Sequence, residues 1–420
     1  MQPQTYPFQE HQIDQNKIDR DALYVILKLQ EKGFNAYLVG GGVRDLLCKK
    51  SPKDFDISTN AKPEEIKTIF KRRCILIGRR FRLAHVRFDH KIIEVSTFRS
   101  QESKDGELIV SDNEWGSEEE DAFRRDFTIN GLFYDPKNQL VIDYVGGYED
   151  LKRNTLCCIG DPVTRFKEDP VRMIRLLKFE ARFSFEIELK MLRVLEELQE
   201  EITKSAQARI LEELLRMLES GYGAPFVRRM TELGLMKHIS PPLASFLEGE
   251  ESQSIYSFLE AADRIQLKFG THALERTVIC ACLIYPVLKK KIDKISMDQQ
   301  KPVHLGQITS ETHDLIENFV SSSFSRFPKR LSMLMGFLIV NQWRLTPTST
   351  RRYSRQKFLE SHDFLPSLKF LKIRSLVYPE HQLIYKEWNE QYKTRVHHGD
   401  RTPHPHQFQK KRRRKPKRPS

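Results

Sequence analysis

Asp54 and Asp56 stand one residue apart in "KDFD", within a chain whose formal charge is +13. Continued as a strand through "FDIS", alternation sends both aspartates to one face and Phe55 to the other, where it anchors the strand in a core. Two carboxylates side by side repel and need compensation, from a shared proton, a nearby Arg or Lys, or a divalent cation. The plain alternative is an Asp-rich turn, since "SPKD" just upstream is turn chemistry.

Four stretches can converge on this pair. "LVGGGVRD" puts three glycines between a strand and a helix, which lets backbone approach a ligand closely and offers helix N–H groups to an anion. It fits neither standard phosphate-loop pattern, and a tight strand–helix turn explains it equally well. In "IIEVSTF", Glu94 faces opposite to Ile93 and Val95, either at a solvent edge or as a third metal-facing carboxylate. "EEEDAFRRDFTIN" reads as a helix laced by Glu120–Arg124 and Asp121–Arg125 pairs, or as Arg125 for a triphosphate and Asp126 for the carboxylate cluster. "EDPVRMIRLLKF", taken as a helix, aligns Asp169, Arg172 and Arg175 in one stripe and Val171, Ile174 and Leu177 in another. Asp169 and Arg172 there form a surface ion pair or read a base edge. In the second case Arg donates to a ring nitrogen and Asp accepts from an exocyclic amine, a pattern adenine and cytosine share.

In order along the chain, "LVGGGVRDLL", "KDFDIS", "RRDFTIN" and "EDPVRMIR" closely resemble the class II template-independent nucleotidyltransferases, the bacterial poly(A) polymerases and tRNA CCA-adding enzymes. The resemblance covers roughly residues 20 to 235. It implies that Asp54 and Asp56 hold Mg²⁺ in a two-ion site, and that Gly41, Arg44 and Arg125 lie against the nucleotide phosphates. Asp169 and Arg172 are similar to the family's base-reading pair, with Arg175 nearby, and Asp126 matches a functional aspartate. The third catalytic carboxylate is either Asp126 or Glu94. Lys178 stands where the family often has Arg, keeping a charge but losing a bidentate fork.

The reaction implied is attack of an RNA 3′-hydroxyl on the α-phosphorus of ATP, with pyrophosphate leaving and no template strand. "LIGRRFRLAHV", Leu76 to Val86, resembles the signature that separates poly(A) polymerases from CCA-adding enzymes, although a basic hairpin would carry the same residues. The expectation is therefore polyadenylation of single-stranded RNA 3′ ends, with CCA addition as the alternative. RNA-decay and RNA-chaperone proteins are the expected protein partners. A non-catalytic RNA-binding adaptor is a third reading, and the intact acid pair argues against it.

The elements that must position these residues fall in two blocks. Helix and strand signals alternate to about residue 150: "DALYVILKLQEKG" as a helix, "NAYLV" as a strand, "KPEEIKTIF" as a helix, then "CILIG", "RLAHVRFD" and "IIEVSTFR" as strands. Residues 101–117 are polar and read as a loose loop. Helical spacing dominates after residue 165, as in "ARILEELLRMLESG". Segregated strands and helices make the fold α+β, a small mixed-sheet head followed by an all-α neck and body. The expected divisions are an N-terminal extension (1–20), a catalytic head (21–150), a helical neck (151–235), a helical body (236–390) and a disordered basic tail (391–420).

Composition narrows the setting. The longest apolar runs, "TVICACLIYPVL" and "LSMLMGFLIV", fall short of the roughly 18 residues a membrane span needs. No apolar signal region opens the sequence, and six cysteines without a C-x-x-C pair favour a reducing cytoplasm. The last thirty residues hold eleven Lys or Arg and one Asp, leaving +3 for everything before them. Lys410, Lys411, Arg412, Arg413, Arg414 and Lys415 form its densest run, which reads as sequence-blind contact with RNA phosphates.

Overall fold

The computed structural model describes residues 2–78, 83–89, 91–100, 115–250, 252–321, 327–346 and 355–399. The loop expected at 101–117 therefore lies largely outside the described residues, as do residues 79–82 of "LIGRRFRLAHV" and the basic run 410–415.

Among the described residues eight strands build the head: β1 (Gln4–Pro7), β2 (Ala36–Val39), β3 (Ile57–Thr59), β4 (Cys74–Ile77), β5 (Leu83–Phe88), β6 (Lys91–Thr97), β7 (Leu132–Asp135) and β8 (Leu140–Asp143). They form one sheet in the order β1-β8-β7-β2-β3-β6-β5-β4. Neighbours are antiparallel apart from β3 and β6, which run parallel with Ile57 opposite Val95 and Ser58 opposite Ser96. A parallel pair needs a crossover, supplied by the helix Pro63–Phe70 and the β4–β5 hairpin.

Period two divides β2 between two cores. Ala36 and Leu38 join the main head core, with Val25, Ile26 and Leu29 of the helix Arg20–Glu31. Tyr37 and Val39 face a smaller cluster with Phe98, Ala122 and Phe133. The first twenty residues are no mere extension, because Gln4–Pro7 pairs with β8 and forms an edge of the head sheet.

Beyond the head the described residues are helical apart from a short parallel strand pair, Thr155–Leu156 with Glu186–Ile187. One continuous apolar core runs from Phe127 to Ile373, so the expected boundary at 235 divides no core. Leu345, Phe358, Phe364, Leu368, Leu371 and Trp388 make a satellite cluster. It seats the final helix, Gln382–Gly399, which continues past the expected tail boundary at 391. Among the described residues, no helix is long and apolar enough to cross a membrane.

Candidate active site

The glycine turn sets the site's geometry. Gly40 has φ +62°, and a Cβ there would lie 2.7 Å from Nη1 of Arg125. Only glycine combines that backbone conformation with so close an approach. Gly40 leads from β2 into the helix Gly41–Leu47, as the glycine reading anticipates. At Gly42 an added Cβ would meet the Asp54 carbonyl at 3.4 Å, which brings the acid segment against the turn.

Asp54 and Asp56 precede β3; they are not part of it, since the strand begins at Ile57. Backbone pairing nonetheless starts early, with Val39 N–H donating to the Asp56 carbonyl at 3.0 Å. Phe55 is half-buried against the head core, on the side that alternation assigns it. A cavity of about 560 Å³ opens beside this segment. It is lined by Gly41, Arg44, Asp56, Glu94, Arg125, Asp126, Asp169, Arg172, Arg175 and Lys178, so residues from both blocks of the sequence meet there. Asp54 does not line it.

Solvent touches Asp56, yet the cleft crowds it enough to make charging costly. Burial pushes its carboxyl up, the negative charges of Glu94 and Asp54 push it further, and Arg125 pulls the other way. Among the described residues neither Asp54 nor Asp56 belongs to an ion pair. Glu94 projects from β6 away from the core, as alternation requires, with His85 Nε2 3.5 Å from its carboxylate. No three carboxylate, imidazole or thiolate side chains among the described residues gather tightly enough to hold a cation alone. The acids form an open set, suited to a cation whose remaining ligands are waters or substrate oxygens.

Asp126 is placed differently. Arg175 donates to its Oδ2 through Nε at 2.7 Å, while Asn130 Nδ2 and the Phe127 N–H each donate to Oδ1 at 2.9 Å. Burial alone would raise its pKa, but Arg175 and these hydrogen bonds outweigh it and hold the carboxyl at about 2. Its lone pairs are spoken for by protein.

The cations are also anchored. Arg44 is buried, with Nη1 donating to Asn130 Oδ1 at 2.6 Å and Nη2 to Asp45 at 2.7 Å. Its guanidinium lies 4.8 Å from the ring centres of both Phe179 and Phe183. Arg125 pairs with Asp121 at 2.8 Å, the i,i+4 contact expected from sequence, and its buried Nε has no hydrogen-bond partner among the described residues. The expected Glu120–Arg124 pair is replaced: Glu120 takes part in a capping box with Ser117, while Arg124 reaches Asp121 at 2.8 Å. Lys178 pairs with Glu213 at 3.0 Å.

Asp169 does not share a helix with Arg172 and Arg175. It ends the helix Pro162–Glu168, and Pro170 separates it from the helix Val171–Phe183, a break that proline favours. Arg209 donates to Asp169 Oδ2 at 2.9 Å, while the buried Oδ1 has no partner among the described residues. Arg172 Nη1 turns to Glu168 at 3.2 Å and to the Arg165 carbonyl at 3.0 Å, so Asp169 and Arg172 line one cavity without pairing.

Several supporting residues were not picked out by sequence reasoning. Arg165 Nη2 donates to the carbonyls of Arg124 at 3.0 Å and Arg125 at 2.6 Å, fixing the loop that carries Arg125 and Asp126. Asn130 joins Arg44 to Asp126, and Arg182 holds Asp45 at 2.7 Å. Only the amide four residues past Asp126 carried a usable sequence signal.

A family profile described as the poly A polymerase head domain matches residues 36–157, and another, described as a probable RNA and SrmB-binding site of polymerase A, matches 184–247. Poly(A) polymerase I of Escherichia coli O157:H7 is 36% identical over 404 residues, covering 91% of this chain and 84% of that protein. Poly(A) polymerase I of Haemophilus influenzae is 44% identical over 252 residues, and the match spans 57% of this chain and only 56% of that protein. A CCA-adding enzyme of Lactobacillus helveticus is 35% identical over 251 residues, 58% of this chain and 60% of its own length. Among solved structures, a CCA-adding enzyme in complex with ATP superposes with a TM-score of 0.59 at 21% identity, covering 94% of this chain and 87% of that one. At that identity the likeness speaks to fold.

Proposed function

The chain belongs to the poly(A) polymerase family, and from that premise we propose that it adds AMP from ATP to RNA 3′ ends without a template. The observation that carries the choice of polyadenylation is extent. Likeness to poly(A) polymerase I runs through 91% of the chain, whereas the match to the CCA-adding enzyme of Lactobacillus helveticus stops at 58%.

In the reaction the RNA 3′-oxygen forms a bond to the α-phosphorus of ATP as the bond to pyrophosphate breaks, and the hydroxyl proton passes to solvent water. Asp54 and Asp56 are the residues we assign to Mg²⁺, with Glu94 as the third acid. Their mutual repulsion, offset only in part by Arg125 and by no ion pair among the described residues, supports a cation there. When bound, Mg²⁺ lowers the pKa of the attacking hydroxyl and offsets charge on the leaving oxygens. Asp126 is assigned to holding Arg175 and Asn130, because its oxygens are already occupied.

The remaining residues orient the nucleotide. Arg125, whose Nε has no hydrogen-bond partner among the described residues and whose loop Arg165 clamps, is the residue we assign to phosphate oxygens beside the Gly40–Gly41 turn. Arg44 lines the same cavity but acts chiefly as a pillar under the turn, since Asp45 and Asn130 hold it. The unpartnered Asp169 Oδ1 is an acceptor awaiting a donor, and the 6-amino group of adenine supplies one. Arg172, Arg175 and Lys178 complete that wall.

RNA is held by the helical part and by the basic run 410–415. The cytoplasm is the compartment, in keeping with six free cysteines. RNA-decay or RNA-chaperone proteins are the partners the family resemblance implies. The test is Mg²⁺-dependent incorporation of labelled AMP into RNA by the wild-type protein and its abolition in Asp56→Ala. A protein that binds RNA but incorporates nothing would be an adaptor instead.

A further inference from the structure

A second cavity, of about 300 Å³, shares no residue with the catalytic one and lies outside both family-matched segments. Three helices wall it: Ser252–Phe269, Phe364–Val377 and Gln382–Gly399. Its surface joins aromatic rings to cations. Phe269 keeps 59% of its surface exposed at the end of its helix. Lys372 Nζ lies 4.5 Å from that ring's centre, and Lys268 Nζ lies 5.4 Å from it. Lys369 lines it one turn before Lys372 on the same helix, and the final helix contributes Tyr385, Tyr392 and Lys393.

Lys369 is paired with Glu275 at 2.7 Å. Lys268, Lys372 and Lys393 enter no ion pair among the described residues. Burial, and then the nearby charge of Lys268, pull the Lys372 ammonium down from its ordinary value. Two crowded cations with no ion-pair partner among the described residues, beside an open ring, make a costly surface unless an anion with a flat apolar face covers it. A helix C-terminus accounts for Lys268, but Lys372 comes from another helix and has no such reason to be there.

We propose that this pocket binds a nucleotide of the RNA chain, one base stacking on Phe269 and the flanking phosphates meeting Lys268, Lys372 and Lys393. Aromatic stacking beside a basic track holds single-stranded nucleic acid without reading its sequence, which suits a protein acting on varied 3′ ends. An acidic protein segment would use the lysines but has no need of the exposed ring. The inference rests on RNA being the substrate.

The test compares wild type, Phe269→Ala, Phe269→Trp and the double variant Lys268→Gln/Lys372→Gln for binding to labelled oligo(A) across a salt series, with AMP incorporation measured in parallel. Phe269→Ala is expected to raise Kd about tenfold, within the range for one stacked base. The lysine double variant should flatten the log–log salt slope by about 1.4. Phe269→Trp should bind as wild type and show tryptophan quenching on RNA addition beyond that of the native protein. Unchanged Kd in Phe269→Ala, or no added quenching in Phe269→Trp, overturns the site. A flattened slope with a silent Phe269 also overturns it, in favour of an acidic partner. Failure of the wild type itself to incorporate AMP would instead count against the proposed function, separately from this site.

Discussion

Arg175 brings Nε and Nη2 to 2.7 and 2.6 Å from the same carboxylate oxygen of Asp126. The contact ties the helix Val171–Phe183 to the head loop that carries Arg125. Breaking a buried pair by removing one partner costs about 3–5 kcal/mol, but the Arg175 side chain keeps 34% of its surface, so Asp126→Asn should cost about 2 kcal/mol. A carboxyl at about 2 when folded and near 3.8 when unfolded contributes fully above pH 4 and loses that contribution as pH falls through 2. Urea unfolding at pH 7 and pH 3 should therefore show a smaller gap between wild type and variant at the lower pH. Lost turnover at unchanged stability would make Asp126 a catalytic carboxylate.

Asp54→Ala and Asp56→Ala should each lower turnover by at least about a thousandfold while leaving RNA affinity nearly unchanged, since metal positioning carries most of this chemistry. Glu94→Gln should follow them with a smaller loss, partly relieved by raising Mg²⁺. A Glu94→Gln variant with wild-type rate and Mg²⁺ dependence would remove it from the acid set.

Asp169→Ala should weaken discrimination for ATP against GTP and UTP by a few kcal/mol, because the acceptor for the exocyclic amine is gone. Arg209→Ala should produce a milder loss of about tenfold, since it frees the carboxylate to turn. The measurement is the ratio of kcat/KM values. Unchanged preference in Asp169→Ala would leave Asp169 as a structural partner of Arg209 only.

Asp263 supplies a separate pH signature. It accepts from the N–H groups of Gly223 and Ala224 at 2.9 and 2.8 Å, but burial dominates and raises its carboxyl to about 6. Its ionised form is therefore disfavoured by folding. The group favours the folded state fully below about pH 4, and that benefit disappears as pH rises through 6. Wild-type stability minus that of Asp263→Asn should fall across this window, by up to about 3 kcal/mol. A difference that stays flat from pH 4 to 7 would show that Asp263 does not titrate there.

The local order of the head was legible because its patterns are local. The glycine turn after Val39, the helix Pro63–Phe70 and the alternation of β4 to β6 all read correctly. β1, β7 and β8 did not: "QTYP" carries little apolar alternation, and "LFYD", buried at all four positions, shows none. The residues sharing the cavity were legible only through the family resemblance. No spacing rule brings Asp169 to Asp56 across 113 positions of chain, and "EDPVRMIR" looked like one helix because its apolar period continues past Pro170. The supports were hidden for the same reason: Arg165 acts on carbonyls 40 and 41 residues earlier.

Product length with each nucleotide supplied singly tests the central claim most directly. The protein is incubated with Mg²⁺ and a labelled single-stranded RNA, once with each of ATP, CTP, GTP and UTP. Polyadenylation predicts a long ladder with ATP alone and little or no extension with the others. No extension with ATP alone, together with short defined additions that require CTP, would contradict it and make the protein a CCA-adding enzyme.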